Sequence, residues 1–227
     1  MTLTTDLALQ LKLADTASHR RDRLVMYPRL DPVRTAVLVI DMQDAFIRHD
    51  SPACVPSAKL IVDRINALTR CLRSAGATIC FTRHTVVEHD WLRYVEIVAG
   101  GDQVRASALL GKGTCGHAIF SGIDVQDGDL VVDKMRFGAL GAEHCSLSSE
   151  LVRRGIDTVV IAGTLTNICC ESTARQAMEL DYRTLLVADA TAARSEAAQN
   201  AALLNVFAAF GDVASTDQIC ARLCAVS

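Results

Sequence analysis

The sequence predicts an α/β protein: three layers, α-β-α, around a mostly parallel, doubly wound sheet of six strands. Three observations carry this. The β-branched runs AVLVI (36–40), ATICFT (77–82), LVVD (130–133), DTVVIAG (157–163) and RTLLVAD (183–189) are apolar nearly throughout, whereas a strand with one wet face would alternate. Between them lie stretches with helical spacing and cap residues, and such alternation closes into a parallel sheet covered on both faces. The chain has 227 residues, half of them hydrophobic, which suits one large domain with a substantial core.

The elements follow in order. Residues 1–34 read as an N-terminal arm ahead of a domain over 35–227. The arm has patchy helical periodicity that Pro28 and Pro32 end, and it packs either on a partner subunit or on the body. After the strand at 36–40, Ser57 is placed to cap a helix through Ala75. Ile61, Ile65, Leu68 and Leu72 share one face of that helix, and Gly76 stops it. The second strand is 77–82. Residues 84–128 are rich in Gly and His and predict short helices and loops. The third strand at 130–133 precedes a helix over 146–154 that ends at Gly155. The fourth strand leads into a helix from Asn167 to Leu180. The fifth leads into a long Ala-rich helix from Ser195 to Ala209, then a short strand at 212–214 and a last helix.

Composition excludes several classes. A formal charge of -3 and a pI near 6.1 leave no basic footprint for nucleic acid. No apolar run reaches the roughly 18–20 residues that cross a bilayer, so no membrane role is expected. The N-terminus lacks a basic start followed by an apolar block, which argues against a secretory signal. Nine cysteines, an odd number without a CxxC pair, read as mostly reduced thiols in a cytoplasmic protein. The segment AAQNAALLNVFAAFG is too apolar for full exposure, which predicts a homo-oligomer, dimer or tetramer. His49, His84 and His89, with Asp50 and Asp90, lack ligand spacing and read as isolated surface or loop residues, so no metal is expected. No GxGxxG, GxxxxGK[ST] or GxSxG element occurs, and no cofactor is implied.

Chemistry concentrates where three apolar runs stop, at Asp41, Lys134 and Cys169. Ligands of open α/β sheets bind beyond the carboxyl ends of the strands, so these three suggest one shared pocket. Cys169 follows a strand and a Gly-Thr-Leu-Thr-Asn turn and opens a helix, where the dipole and free N–H groups favour a thiolate and can hold an oxyanion. Cys170, about 100° further round, should face the core. Asp41 is either a cap on its strand or a general base for the thiol, with Asp44 a competitor further into the loop. Lys134 is either a solvated strand-end cap or the cation that holds Asp41 ionised and steadies the sulfur. Gln43 and Phe46 read as pocket wall or helix-start packing. Trp91 either stacks on a planar substrate or is structural. Arg83 and Arg136 either hold a substrate carboxylate bidentately or form salt bridges.

With LVIDMQDAF, DKMRFGAL and GTLTNICCESTARQAMELDY on the page, the chain resembles the isochorismatase-like cysteine hydrolases. That superfamily includes nicotinamidases, N-carbamoylsarcosine amidohydrolases, ureidoacrylate amidohydrolases and isochorismatases. The resemblance runs from Thr35 to the C-terminal helix and implies their Rossmann-like fold. It implies an Asp41-Lys134-Cys169 triad, a cis peptide at Thr164-Leu165, and oxyanion-hole amides from Leu165 and Cys169. Asn167 joins the substrate-binding candidates. The wording TNICCESTAR and KMRF is closest to the ureidoacrylate and N-carbamoyl amidohydrolases. Expected, then, is a cysteine-dependent hydrolase cleaving a C–N bond of a small amide or ureido substrate and releasing ammonia. The alternatives are a nicotinamide- or maleamate-like substrate, vinyl ether cleavage, or a non-catalytic oligomeric homologue. Gly138 departs from the Ser that many relatives carry, a change expected at the pocket floor.

Overall fold

The computed structural model describes residues 24–223 and Asp15. Most of the expected arm thus lies outside the described residues. Its described end is tied down: the Met26 and Tyr27 N–H groups donate to the Asp212 carboxylate at 3.0 and 3.1 Å, and Leu30 bridges to Leu223.

Six strands form one sheet: β1 Thr35–Ile40, β2 Thr78–His84, β3 Leu130–Lys134, β4 Thr158–Thr164, β5 Arg183–Ala192 and β6 Asp212–Ala214. Their order is β3-β2-β1-β4-β5-β6, and every pairing is parallel. The order reverses between β1 and β4, which opens a crevice beyond their carboxyl ends.

Alternate side chains of each strand enter opposite layers, which explains why the runs are apolar throughout. Val37, Val39, Phe81, Val160 and Leu185 join one core with Ile65, Leu68 and Leu72 of α2 (Val62–Ser74, which follows the short α1, Asp44–Ile47). Leu38, Ile40, Cys80, Ile161 and Leu186 join the other. There they meet α5 (Leu147–Arg153), α6 (Glu171–Glu179) and α7 (Glu196–Asn205). The irregular region after β2 holds α3 (Leu92–Val98) and α4 (Gln103–Leu110), and α8 (Thr216–Ala221) closes the first layer.

Three expectations change in detail. Ser57 does not cap α2; its hydroxyl donates to the Ala193 carbonyl at 2.7 Å, and a 3-10 turn over Ala58–Ile61 leads into the helix. The helix expected from Asn167 begins as a π-helical turn, Thr166–Cys170, that runs into α6. The Ala-rich segment buries Ala202, Leu203, Val206 and Phe207 against its own chain, so its apolar character needs no second copy. Among the described residues the most exposed large apolar side chains lie elsewhere, at Ile97 (81%) and Val104 (80%).

One glycine is required where the site is built. Gly163 pairs with Ile40 across β1 and β4 and has φ +110. A Cβ there would run into the Ile40 carbonyl oxygen, so only glycine lets the two strand ends approach this closely.

Candidate active site

The carboxyl ends of β1, β3 and β4 bring Asp41, Lys134 and Cys169 together. β1 stops because the chain enters the left-handed region at Asp41 (φ 49), a conformation Asp tolerates better than most residues. That turn aims the carboxylate inward. Thr82 of β2 fixes it from two sides: its hydroxyl donates to Asp41 Oδ1 at 2.7 Å and accepts from the Asp41 N–H at 3.2 Å. Lys134 Nζ lies 2.7 Å from Asp41 Oδ2, and both side chains are fully buried. The ammonium is steered by the Arg136 carbonyl, to which it donates at 3.0 Å. The Lys134 ammonium is thus the cation that Oδ2 faces.

Cys169 sits in the π-helical turn beside this pair, and both of its charges bear on the thiol. The turn is pinned from below. Thr164 donates to the Ala192 carbonyl at 3.0 Å, Thr166 to Gln199 at 2.6 Å, and Thr173 to the Cys169 carbonyl at 2.7 Å. The Thr164–Leu165 peptide is cis. The Leu165 carbonyl accepts from both Ile168 and Cys170 N–H at 3.1 Å. The Leu165 N–H has no acceptor among the described residues, and that of Cys169 makes no bond outside its own short helix. Cys170 is fully buried and points toward the Ala162 carbonyl, in the core.

The electrostatics correct one expectation. Burial pushes the Cys169 thiol up to about 12, with Asp41 adding to the rise and Lys134 opposing it. The resting sulfur is therefore a thiol and not the thiolate expected from the helix dipole, because desolvation outweighs dipole and cation. Lys134 is also desolvated, yet its partners, the Asp41 charge first among them, more than compensate and hold its ammonium above the ordinary lysine value. The site at rest is a neutral thiol beside a buried ion pair.

A cavity of about 400 Å³ opens onto Cys169, walled by Phe46, His84, Tyr94, Leu110, Phe137, Leu165 and Ile168, with Arg105 and Arg194 also in its lining. Phe46 and Leu165 thus stand where a substrate would lie. The other substrate-binding candidates do not. Gln43 is fully buried and engaged at both ends: its amide donates to the His84 and His117 carbonyls, and its carbonyl accepts from the His84 N–H at 2.7 Å. It fastens loops and is absent from the cavity wall. Arg83 is held by Asp133 at 2.7 Å. Arg136 forks onto Asp90 at 2.9 and 3.0 Å and lies over the Trp91 ring. Trp91 stacks on Tyr94 and meets Phe137 edge-on, behind the wall. Asn167 is exposed on the outside of the turn. Gly138 is not at the pocket floor: it packs against the Gln176 side chain, which occupies the space a Ser would need.

Tyr94, Phe137, Arg105 and Arg194 carry no signal in the sequence, and His84, expected as an isolated surface or loop residue, is buried in the cavity wall. His84 had a signal: it ends β2 as Lys134 ends β3, and the two are register partners. Among the described residues no group of three or more His, Cys, Asp or Glu converges as a metal site would require.

The Isochorismatase domain model matches residues 35–218. Ureidoacrylate amidohydrolase RutB of Pseudomonas syringae pv. syringae (strain B728a) is 33% identical over 85% of this chain and 84% of its own length. The crystal structure of a cysteine hydrolase from Pseudomonas syringae pv. phaseolicola 1448A superposes with a TM-score of 0.80 at 29% identity, covering 88% of this chain and 97% of that one. N-carbamoylsarcosine amidase from Thermoplasma acidophilum shares the fold, with a TM-score of 0.67 at 24% identity over 81% of this chain and 97% of its own.

Proposed function

The chain belongs to the isochorismatase family, and from that membership and the site's geometry we propose that it is a cysteine-dependent amidohydrolase. Its substrate is a small amide or ureido (N-carbamoyl) compound, and the nitrogen leaves as ammonia. One observation carries the reading: a thiol in a cavity wall beside the buried Asp41–Lys134 ion pair.

The chemistry balances on three side chains. As Cys169 Sγ bonds to the carbonyl carbon, its proton passes to Asp41 Oδ2, and the carbonyl oxygen becomes an oxyanion held by the Leu165 and Cys169 N–H groups. The cation of Lys134 remains beside the carboxylate throughout, so the proton moves within a fixed field. Asp41 then protonates the nitrogen, the C–N bond breaks, ammonia departs and a thioester remains. Water adds to the thioester and gives a proton to Asp41, which returns it to the departing sulfur. The product acid leaves, and the Asp41 carboxylate and the Cys169 thiol are regenerated.

The cavity lining favours a substrate with an apolar body and an acidic end. Its aromatic and aliphatic walls suit the body, and Arg105 and Arg194 supply cations for a carboxylate. Arg194 already donates to the Ala53 and Cys54 carbonyls, which fixes its direction. Ureido acids therefore fit better than neutral amides such as nicotinamide. Ile97 and Val104, exposed on α3 and α4, offer the surface on which copies of a cytoplasmic homo-oligomer would meet.

The test is ammonia release from a panel of ureido acids, carbamoyl amino acids, simple amides and vinyl ethers. Cys169→Ala should abolish turnover of the preferred substrate while unfolding at the wild-type denaturant midpoint. Turnover that survives this change would reject the nucleophile, and a preference for vinyl ethers would reject the reaction class.

A further inference from the structure

We propose that His84 reads the substrate's N–H: its imidazole accepts a hydrogen bond from the scissile amide or ureido nitrogen and so orients that nitrogen to leave. This rests on the amidohydrolase reading above and adds a residue that contacts substrate beyond the triad.

His84 closes β2 and lines the cavity with Cys169, yet only 2% of it is exposed. Neither Nδ1 nor Nε2 has a hydrogen-bond partner among the described residues. Buried ring nitrogens are almost always paired, and leaving them unpaired is unfavourable unless a ligand completes them. Gln43 clamps the His84 backbone on both sides, and the Tyr94 and Phe137 rings flank the imidazole at centroid distances of 5.1 and 6.2 Å.

The ring's protonation state decides what it offers. Burial, and then the Lys134 cation, push His84 down to about 3, so at neutral pH one nitrogen carries hydrogen and the other a bare lone pair. The Arg136 carbonyl favours hydrogen on the ring from its side without reaching hydrogen-bond geometry, and it already accepts from Lys134. The remaining nitrogen is then an acceptor. An acceptor is what the rest of the site lacks. The Leu165 and Cys169 N–H groups serve the carbonyl oxygen, while Asp41 is occupied by Thr82, Lys134 and the thiol proton. An amide needs both kinds of partner, and His84 supplies the second.

The consequence is discrimination between an N–H-bearing substrate and its ester. The experiment compares kcat/KM for a carbamoyl or amide substrate and its matched methyl ester in wild type, His84→Phe and His84→Asn, with thermal unfolding as the fold control. His84→Phe keeps the aromatic packing and should lower the amide value roughly 10- to 100-fold while the ester value barely moves. His84→Asn, which restores an acceptor, should recover part of the loss. Amide and ester values that fall together in both variants, or an amide value unchanged in His84→Phe, would overturn the assignment.

If wild type turns over neither class, the amidohydrolase reading fails separately. His84 is then read by nitrogen NMR of ring-labelled Cys169→Ala protein titrated with N-carbamoylglycine. Movement of the unprotonated ring resonance supports the contact; an unmoved resonance at saturation refutes it.

Discussion

Replacing Lys134 by Met removes the cation 2.7 Å from Asp41 at a place where both side chains have no exposure at all. Methionine keeps most of the lysine stem's volume, so packing changes little. What remains is a buried carboxylate with the Thr82 hydroxyl on Oδ1 and no cation beside it. Stranding one buried charge in this way costs about 3–5 kcal/mol. That is a large part of the about 5–15 kcal/mol that holds a folded domain together. In a chain of this size it should lower Tm by about 6–20 °C. Asp41→Asn removes the pairing from the other side and strands the ammonium instead. The double variant holds neither charge, and should be more stable than Lys134→Met alone by at least about 1 kcal/mol. Urea unfolding of the four proteins at neutral pH gives the coupling energy. Additive losses, with no coupling, would refute the buried ion pair as the organising contact of the site.

Two further outcomes follow from the same geometry. Gly163→Ala places a methyl group against the Ile40 carbonyl at φ +110, and should destabilise the protein by about 2–5 kcal/mol and depress activity by displacing Asp41; an unchanged urea midpoint would show that the strand ends are not held this closely. His84 binds a proton in the unfolded chain near 6.5 but in the folded one only near 3, so stability should fall as pH drops below about 6.5. The slope from this one residue is about 1.4 kcal/mol per pH unit. His84→Phe should flatten the fall, and parallel curves for the two proteins between pH 6 and 4 would contradict it.

The fold was legible because burial on both faces writes itself into composition: Val37 to Ile40 and Val159 to Ala162 carry no polar alternation, and nothing but a covered parallel strand suits them. Asp41 and Lys134 stood out because each closes such a run at its carboxyl end, and Cys169 because it follows one after a short turn and opens a helix. The wall was harder to read. His84 also ends a strand, but it opens a loop rich in Gly and His, and the sequence does not show that β2 runs to residue 84. Arg83 and Arg136 neighbour strand ends in sequence, yet Asp133 and Asp90 consume them, partners fixed only in three dimensions. Gln43 belongs to the DMQ element, but its three hydrogen bonds reach 41 and 74 residues along the chain, beyond any local pattern. The thiol's protonation escaped for a related reason: a helix start is visible in sequence, whereas the burial that outweighs it is not.

The central claim is that Cys169 forms a covalent intermediate with its proton handed to Asp41. Acid-quenching the enzyme during turnover of its preferred ureido acid or amide, and mapping the modified peptide by mass, tests it most directly. The expected product is an adduct of substrate minus ammonia on Cys169, absent from its neighbour Cys170 and lost in Asp41→Asn. Steady ammonia release with Cys169 unmodified, sustained in Cys169→Ala, would contradict it.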